Sequence, residues 1–556
     1  MFIRRLRSIE ASCCARIGVA LLSAWAVPGL AQEAPPPQTV APPATFMINA
    51  IDVSGAKLLP AGDIEEIVTP FLGPDRTSDD VEAARKALQA AYAKQGFESV
   101  QVDIPAQPEA SFSQGIVQLA VTEVAVGKVI VSGSKHHSSG LVRRQMSSIE
   151  SGKPLDLKRL QADLASANRF PDREISPSFV PGKTPGTIDV ELKVKDSLPL
   201  HGSVELNNDH SPSTTSLRAI ASVRYTDAFR LGHTVSATYI VAPQNRKETE
   251  VYSGSYTAPI LGSPWTLVLY GYKSNSNIAA LGGSNVLGNG YQLGFRALYT
   301  LPTTKTYQSL SAGIDYKNFK QNIFVGGVAA GQAPIEYLPL ALGYNFSAPG
   351  DKDNVDIALS TTLGLRVFKK IRCFSVTPNP APGTCQEVDQ FRNKDLDANE
   401  NFFHLNLDAT YNHAFKRDFV AAVRVSGQIA DSHLVTNEQF SAGGMTSVRG
   451  YLQSEAVGDT GVVGSIELRS PSIAPLLPSF VGELRFYAFG DAAKVRVLRT
   501  LPDQRANFDL AGAGIGARIS LFKAFNGELV VAVPLVDGPT SKSGDIRTMF
   551  TAKGQF

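Results

Sequence analysis

The sequence predicts a transmembrane β-barrel of about sixteen antiparallel strands that follows two small α+β domains. Three observations support this prediction. The 556-residue chain begins with the pattern of an export signal, continues with an internal repeat, and after Pro199 consists of short alternating runs with little helical periodicity. Together these features are typical of an exported protein whose larger part crosses a membrane with strands.

The N-terminus has the organisation of a cleaved signal peptide. Arginines up to Arg16 precede an apolar stretch from Ile17 to Val27, and Gly29-Leu30-Ala31 supplies the small residues of a cleavage site. A retained membrane anchor is disfavoured because this stretch is too short to span a bilayer. We therefore expect residues 1–31 to be removed and the proline-rich residues 32–45 to form an extended linker.

The internal repeat predicts two related domains. Val53-Ser54-Gly55-Ala56-Lys57 returns 78 residues later as Val131-Ser132-Gly133-Ser134-Lys135. Each copy leads into helical periodicity and then into alternating strands, so each domain reads β-α-α-β-β. We expect the first domain at residues 46–124 and the second at residues 125–198. The apolar residues at helical spacing are Val81, Ala84, Leu88 and Tyr92 in the first copy and Leu157, Leu160 and Leu164 in the second.

Residues 199–556 show the pattern of a barrel. Runs of about ten residues alternate apolar and polar side chains, which is the length that a tilted strand needs to cross a hydrocarbon layer. Roughly sixteen such runs, an even number, let a sheet close without an exposed edge. A soluble β-sandwich or propeller is disfavoured by the signal peptide, the aromatic strand ends and the terminal Phe556. Clear examples of these runs are Leu217–Tyr225, Tyr291–Tyr299, Phe403–Tyr411, Phe419–Ser426 and Ile515–Leu521.

Composition and missing motifs exclude several classes of function. Lys and Arg number 53 against 51 Asp and Glu, so no basic excess points to nucleic acid. Beyond the N-terminus, no run of about eighteen apolar residues would form a membrane helix. The sequence has no Gly-x-Ser-x-Gly elbow, no Gly-x-x-x-x-Gly-Lys-Ser/Thr segment and no convincing triad among its eight His. We expect neither an enzyme nor a cofactor.

Cysteine and histidine positions predict structural roles rather than a metal site. Two cysteines fall within the signal peptide, which leaves Cys373 and Cys385 on either side of a Pro/Gly-rich segment. In an oxidising compartment this arrangement favours a disulfide that staples a loop. His136-His137 begins a polar turn, where solvated side chains are favoured over a metal site.

A long loop is the candidate functional site. The longest connection between two strands runs from about Asp431 to Thr460 and contains Val448-Arg449-Gly450-Tyr451, among glycines that permit close approach to a wall. Two strands further on, Phe489 and Asp491 fall on the face that points into the barrel. Arg449 and Asp491 therefore predict a bidentate ion pair that holds the loop inside. The other arginines at inward positions are expected to be ordinary water-facing residues: Arg218, Arg224, Arg296 and Arg518.

These residues resemble the signature of the two-partner secretion transporters, the ShlB/FhaC/HecB group of barrels preceded by POTRA domains. The tetrad of that group, Val-Arg-Gly-Tyr/Phe in the sixth extracellular loop, is matched by Val448-Arg449-Gly450-Tyr451. Its partner motif, Phe-x-Asp on the thirteenth strand, is matched by Phe489 and Asp491. Asn168-Arg169-Phe170-Pro171 is similar to a segment near which the second POTRA domain of the group ends.

The resemblance implies an outer-membrane transporter whose POTRA domains lie in the periplasm. Such a protein secretes an unfolded partner, expected to be a β-solenoid exoprotein, which POTRA strand edges and grooves capture before it passes through the barrel. Its other partners are the lipid bilayer and the barrel assembly machinery, which commonly reads an outward terminal aromatic such as Phe556. Members usually carry an N-terminal helix that plugs the barrel. Residues 32–45 leave no room for it, so the inward loop would have to seal the resting pore.

Two alternatives stay open, one for the function of the chain and one for the role of the ion pair. The first is an outer-membrane protein insertase of the same superfamily, although such an insertase normally carries more than two POTRA domains. A passive porin is disfavoured because it lacks POTRA domains. The Arg449–Asp491 pair also fits a purely stabilising role with no part in transport, because structural ion pairs are common.

Overall fold

The computed structural model contains two small α+β domains and a closed barrel. No helix among the described residues is both long and apolar enough to cross a membrane. The expected signal peptide, residues 32–43 of the expected linker and Cys385 lie outside the described residues, as does the side chain of Cys373. The structure describes residues 44–168, 172–212, 214–281, 284–303, 305–325, 328–368, 371–374, 386–394, 397–500 and 504–556.

The first small domain packs helices on one face of a three-stranded sheet. Strand β2 pairs in parallel with β5, which pairs antiparallel with β4. Helix α2 begins at a capping box formed by Thr77 and Asp80, and its four predicted apolar residues are buried. The elements are β1 (Phe46–Ile48), β2 (Ala50–Ser54), α1 (Ala61–Val68), β3 (Gly73–Arg76), α2 (Ser78–Lys94), β4 (Gln101–Asp103), α3 (Glu109–Phe112) and β5 (Ile116–Thr122).

The second small domain has the predicted order β-α-α-β-β. Its sheet runs β6-β8-β7, and Leu160 of α5 is buried against Val190 and Leu192 of β8. Asn168 follows the end of α5 and precedes two more strands, so the expectation that the domain ends near this segment is wrong. The elements are β6 (Ala125–Ser132), α4 (Ser139–Gln145), α5 (Leu157–Ala167), β7 (Arg173–Pro181) and β8 (Thr187–Asp196).

The repeated Val-Ser-Gly-x-Lys segment has one structural explanation in both domains. Gly55 and Gly133 adopt positive φ angles of 81° and 79°, and a β-carbon there would lie 2.2 and 2.4 Å from a carbonyl oxygen of the neighbouring strand. Only glycine fits such a position. In each copy a carboxylate, Glu123 or Asp196, then accepts backbone N–H groups of the turn that follows.

The histidines of the second turn differ from each other. His136 is exposed, as expected for a polar turn, but His137 is buried and its Nδ1 lies 3.4 Å from the Asp196 carboxylate. The expectation of two solvated side chains is therefore wrong for His137, because the carboxylate that organises the turn also covers it. Within the described residues, no group of His, Cys, Asp and Glu is placed to hold a metal ion.

The remaining chain forms the predicted barrel. In the described part of the chain, seventeen strands make a closed ring. Strands β16 and β17 pair with different halves of the same neighbour, β15, so together they fill one place in the wall. The wall therefore has the expected sixteen strand positions. The chain between those two strands is interrupted at Pro339, which cannot donate a ladder hydrogen bond. Strand β29 pairs with β9 and closes the ring.

The wall strands, and the short elements between them, are given in chain order. They are β9 (Leu200–Asn207), β10 (Arg218–Ala228), β11 (His233–Val241), β12 (Glu250–Pro259), β13 (Trp265–Leu281), β14 (Ser284–Thr300), β15 (Tyr307–Val325), β16 (Val328–Tyr337), β17 (Leu340–Ala348), β18 (Asp353–Leu363), β19 (Ile371–Phe374), β20 (Gln386–Asp389), α6 (Gln390–Lys394), β21 (Phe403–Ala414), β22 (Val420–Ala430), β23 (Phe440–Ala442), β24 (Ala456–Gly458), β25 (Thr460–Arg469), β26 (Val481–Arg496), β27 (Asn507–Leu521), β28 (Phe525–Pro534) and β29 (Arg547–Gln555).

The outer wall of the barrel is apolar. Ile466 and Ile515 point outward and are each 64% exposed, as expected for side chains that a hydrocarbon layer covers. Trp265 contacts Tyr299 with ring centroids 5.0 Å apart at the end where the small domains join. Phe556 is 78% exposed at the same end, and its backbone N–H donates to the carbonyl of Gly202 at 3.0 Å.

The two longest connections between wall strands lie at the far end, opposite the small domains. The fifth, residues 364–402, is longer than the sixth, residues 431–459, so the expectation that the sixth is the longest is wrong. The fifth connection has its own hairpin, β19–β20, and packs Phe391 and Phe402 against Tyr337 of the wall.

Candidate functional site

The sixth far-end connection folds into the barrel and is fixed at its base. Asp459, just before β25, is fully buried. Its carboxylate accepts the backbone N–H of Leu434 at 2.9 Å, the backbone N–H of Leu498 at 2.7 Å and Gln439 Nε2 at 3.0 Å. One side chain therefore joins the two arms of the loop to the neighbouring connection, and we call residues 431–459 the inward loop.

Arg449 of the inward loop makes a bidentate ion pair with the wall. Its Nε lies 2.8 Å from Asp491 Oδ2 and its Nη2 lies 2.9 Å from Oδ1. The backbone N–H of Arg449 also donates to Oδ2, at 3.0 Å. Both residues are buried, with exposures of 7% and 4%. Such a pair fixes both the position and the orientation of the loop tip.

Phe489 contacts Arg449 from β26, the strand that also carries Asp491. Residues 489 and 491 share the inward face of β26, and the guanidinium carbon of Arg449 lies 3.5 Å above the centre of the Phe489 ring. A cation over an aromatic face is attracted by the ring quadrupole, more so when it is desolvated. The two residues of the wall motif therefore hold one cation, Phe489 by its ring face and Asp491 by its carboxylate.

The ion pair is part of a wider network on the wall. Arg449 Nη1 lies 2.7 Å from Glu467 Oε2. Glu467 also accepts from Arg518 Nη1 at 2.6 Å and from Arg469 Nε at 2.7 Å, and Arg518 Nε donates to Glu528 at 2.9 Å. The network is locally neutral, since three arginines face three carboxylates. They are Arg449, Arg469 and Arg518 with Asp491, Glu467 and Glu528.

The inward arginines are mostly partnered, which corrects the expectation of ordinary water-facing side chains. Besides Arg518, Arg296 makes a bidentate pair with Asp315 at 2.9 and 2.8 Å. Arg218 is buried and donates to backbone carbonyls of its own turn. Arg224 lines an open groove near the end where the small domains join, and there the expectation holds. A water-filled lumen does not prevent ion pairing where wall strands bring opposite charges within reach.

Glycine lets the loop tip approach the wall. Gly450 has a φ of 101°, and a β-carbon there would lie 3.1 Å from the backbone nitrogen of Pro534. Opposite Asp491, a β-carbon on Gly512 would lie 2.1 Å from the carbonyl oxygen of Arg449. Close backbone contact is therefore possible only because the loop and the wall each present a glycine.

Val448 and Tyr451, the first and last residues of the tetrad, are buried between the inward loop and the wall. Val448 packs with Val463 and Val495 of the wall and is fully buried. Tyr451 is also fully buried, and its hydroxyl donates to the carbonyl of Val536 at 2.6 Å and accepts the N–H of Ala511 at 3.2 Å. The tetrad thus combines an apolar anchor, a charge, a close backbone contact and a hydroxyl.

The loop tip also touches the strand that closes the ring. The backbone N–H of Met445 donates to Asp209 Oδ1 at 3.2 Å. Next to it, Asn208 Nδ2 donates to the carbonyl of Thr548 at 2.9 Å and its Oδ1 accepts the N–H of Phe550 at 2.8 Å. The turn after β9 therefore binds the inward loop and β29 together.

Sequence reasoning missed Glu467, Gly512 and Asp209. Glu467 is an isolated carboxylate on an inward face, which ion pairing explains only once the fold is known. The importance of Gly512 could have been predicted from the sequence. Gly512, Gly514 and Gly516 alternate along the inward face of β27, and such a run of glycines indicates that a segment of chain packs closely against the wall inside the barrel. Asp209 lies in a polar turn and has no local signal.

Comparisons with known proteins agree with this architecture. The family described as haemolysin secretion/activation protein ShlB/FhaC/HecB matches residues 186–519, and the ShlB-type POTRA domain matches residues 46–123. Outer membrane transporter CdiB of Dickeya dadantii (strain 3937) is 20% identical over 428 residues, 76% of this chain and 72% of the relative.

Two solved structures share the fold. CdiB from Escherichia coli superposes with a TM-score of 0.67 at 17% identity, covering 94% of this chain and 93% of the other. CdiB from Acinetobacter baumannii superposes with a TM-score of 0.61 at 16% identity, covering 93% and 91%. Both likenesses extend across the small domains and the barrel alike.

Proposed function

Because the chain belongs to the ShlB/FhaC/HecB family of haemolysin secretion/activation proteins, we propose that it exports an unfolded partner polypeptide through its barrel. Members of the family are transporters rather than enzymes. The chain is an outer-membrane protein, with its POTRA domains, the two small domains, in the periplasm and the far-end connections at the cell surface. The finer steps that follow are part of the proposal.

The partner arrives unfolded in the periplasm, and the POTRA domains capture it as an extended segment. It then enters the barrel, passes the inward loop and folds outside. The sequence has no phosphate-binding Gly-x-x-x-x-Gly-Lys-Ser/Thr motif, so folding of the partner at the surface is the proposed driving force. A β-solenoid exoprotein suits this route, because each added turn buries apolar surface on the turns already folded outside.

The observation that carries the proposal is the anchoring of the inward loop by Arg449 and Asp491. This pair holds the loop tip against β26 and β27, on one side of the barrel. On the other side of the loop lies a cavity whose wall is polar. Its lining includes Tyr272, Gln292, Ser360, Thr362, Asn406 and Ser426.

This cavity suits an extended polypeptide. Hydroxyl and amide side chains exchange hydrogen bonds with a passing backbone without holding any one register. We propose that the Arg449–Asp491 pair holds the inward loop in one position, and so keeps the cavity beside the loop at a fixed width, while the partner is absent. When the partner enters the cavity, the loop moves aside. In this account the pair positions the loop and has a role in transport beyond stability.

The test is export of the partner by the Arg449→Ala variant. The chain is expressed together with its secreted partner, and the amount of partner in the medium is compared with the amount of folded transporter in the outer membrane. We expect at least about a tenfold loss of export with barrel insertion largely intact, since truncating one member of a buried pair leaves the other charge unpaired. Arg246→Ala is the matched control, because Arg246 is 66% exposed on another far-end connection.

Unchanged export by the Arg449→Ala variant would remove the loop from the mechanism. The same strains also separate secretion from insertase activity. If the wild-type chain exports no partner, while its deletion lowers the level of other outer-membrane barrels, the chain is an assembly factor instead.

A further inference from the structure

The inward loop has a second buried charged contact, at its root rather than at its tip. Glu438 is buried, and its Oε1 lies 2.6 Å from Lys317 Nζ on β15. The hydroxyl of Tyr337 on β16 donates to the same oxygen, and His404 Nε2 on β21 lies 3.2 Å from Oε2. Three wall strands therefore hold one carboxylate of the loop.

Hydrogen-bond directions make His404 a second cation of this contact. Gln428 Nε2 donates to the backbone carbonyls of Glu438 and Asp459, each at 3.0 Å. The Oε1 of Gln428 is therefore the acceptor for Asn406 Nδ2, at 2.7 Å, and Asn406 presents its Oδ1 to His404 Nδ1 at 2.7 Å. His404 donates to this amide through Nδ1 and to Glu438 through Nε2, which is the cationic form of the ring.

Glu438 compensates positive charge that the wall has buried. The side chain of Lys317 is 12% exposed, and within the described residues Glu438 is its only ion-pair partner. A buried cation that loses its partner is strongly unfavourable, because neither water nor an opposite charge replaces the lost contact. The wall cations therefore hold the root of the inward loop in place.

The contact lies where the lumen changes from open to filled. Lys317, His404 and Glu438 all line the cavity beside the inward loop. On β21 the inward side chain of Asp408 is 60% exposed, whereas that of His404, further toward the far end, is 8% exposed. Beyond Lys317 on β15, the inward Phe319 is fully buried. The Glu438 contact therefore closes the far end of the cavity.

The filled part beyond the contact is shared by the inward loop and the fifth connection. Leu434 of the loop belongs to the same buried apolar cluster as Phe391 of the fifth connection. Lys394 Nζ on α6 also donates to Asn437 Oδ1, on the residue before Glu438. The two connections are therefore packed together over the far end of the cavity, and the root of one cannot move without disturbing the other.

We propose that Glu438 is a positioning residue for transport, which holds the root of the inward loop across the exit of the cavity through its contact with Lys317 and His404. The inference rests on the proposed function, because the cavity is the path proposed for the partner. Passage to the cell surface requires Glu438 to leave the two wall cations. The Arg449–Asp491 pair thus sets the position of the loop tip, and Glu438 closes the exit.

Ion conductance of the full-length protein in planar lipid bilayers tests this role without any partner. We expect Glu438→Gln to raise the fraction of time that the channel is open at least about tenfold, because the wall cations lose the carboxylate that holds the root against them. Lys317→Met changes the wall side of the same contact and should also raise the open fraction. Only inserted barrels carry current, so the measurement reports folded protein alone.

The double variant Lys317→Met/Glu438→Gln separates a direct contact from a general loss of stability. It removes the cation and the carboxylate together, and it should be open for less time than either single variant, because no unpaired charge is left. Asp408→Asn is the control, since it removes an exposed carboxylate from the same lumen and should leave the open fraction unchanged.

Three results would overturn the proposal: an unchanged open fraction in both single variants, an equal rise with Asp408→Asn, or a double variant that is no more closed than the single variants. Failure of the proposed function is distinguishable, because export by the wild-type chain is measured with the partner and conductance without it. Export together with an unchanged open fraction in both single variants shows that another contact closes the exit. A raised open fraction without any export supports the role of Glu438 and contradicts the proposed function.

Discussion

The carbonyl oxygen of Arg449 lies 2.1 Å from the position that a β-carbon would take at Gly512. This distance is far below van der Waals contact, so any other residue at 512 displaces the loop tip from the wall. Because Gly512 pairs with Asp491 across the strands, the displacement also stretches the Arg449–Asp491 ion pair.

We therefore predict that Gly512→Ala lowers export of the partner strongly while the barrel still folds. Gly490→Ala is the matched control, because it lies next to Asp491 on the wall and a β-carbon there meets no atom within 4 Å. Partner in the medium and folded transporter in the outer membrane are measured for both variants. Equal export by the two would show that the close contact at Gly512 has no part in transport.

Replacement of Arg449 by Lys tests geometry separately from charge. Lys keeps the positive charge but cannot bond both oxygens of Asp491 and Glu467 together, and it loses the flat contact with Phe489. We expect Arg449→Lys to export less than wild type and more than Arg449→Ala. If Lys restores full export, the charge alone is sufficient and the bidentate geometry is not required.

The stability of the second POTRA domain should depend on Asp196. Burial acts to raise the pKa of this carboxyl, yet the backbone N–H groups of residues 135–137 together lower it to about 2. Because the folded-state pKa lies below the ordinary value, the stabilisation is present above about pH 4 and is lost as pH falls toward 2. Its size is about 2 kcal/mol.

We predict that Asp196→Asn lowers the free energy of unfolding of this domain at neutral pH and that the difference from wild type shrinks in acid. The helical far-ultraviolet signal during urea titration of the full-length protein in detergent reports it, since α1–α5 lie in the POTRA domains. A difference that stays constant between neutral and acid pH would exclude this carboxylate as the source.

Asp172 couples the second POTRA domain to the barrel. Its carboxylate lies 2.5 Å from His201 Nε2 on β9 and also accepts the hydroxyl of Thr226 on β10. We predict that Asp172→Ala loosens this junction and lowers export several-fold, because partner delivered by the domain no longer meets the barrel mouth at a fixed position. Glu174→Ala, an exposed neighbour, is the control. Export of the partner is measured for both variants. An equal loss of export in both would show that the contacts of Asp172 with the barrel are not the reason for the loss.

Local patterns allowed the sequence to predict the fold. Alternation gave the barrel wall, and the repeat that includes Gly55 and Gly133 gave two related domains, because each feature is written within a few residues. The positions of Arg449 and Asp491 were predicted as partners from their motifs and the parity of β26. The features that could not be predicted depend on contacts between residues far apart in the chain. These features are the roles of Glu467 and Asp209 and the packing of the fifth connection on Tyr337, and each becomes visible only when the fold brings distant strands together.

Passage of the partner through the lumen is the central claim, and site-specific photocrosslinking during export tests it most directly. A crosslinker at Ser360 faces the cavity beside the inward loop, whereas one at the adjacent Leu359, which is 37% exposed, faces the lipid. We expect the partner to be captured from position 360 and not from position 359. Capture from 359 alone, or from neither position while export proceeds, would contradict transport through the barrel.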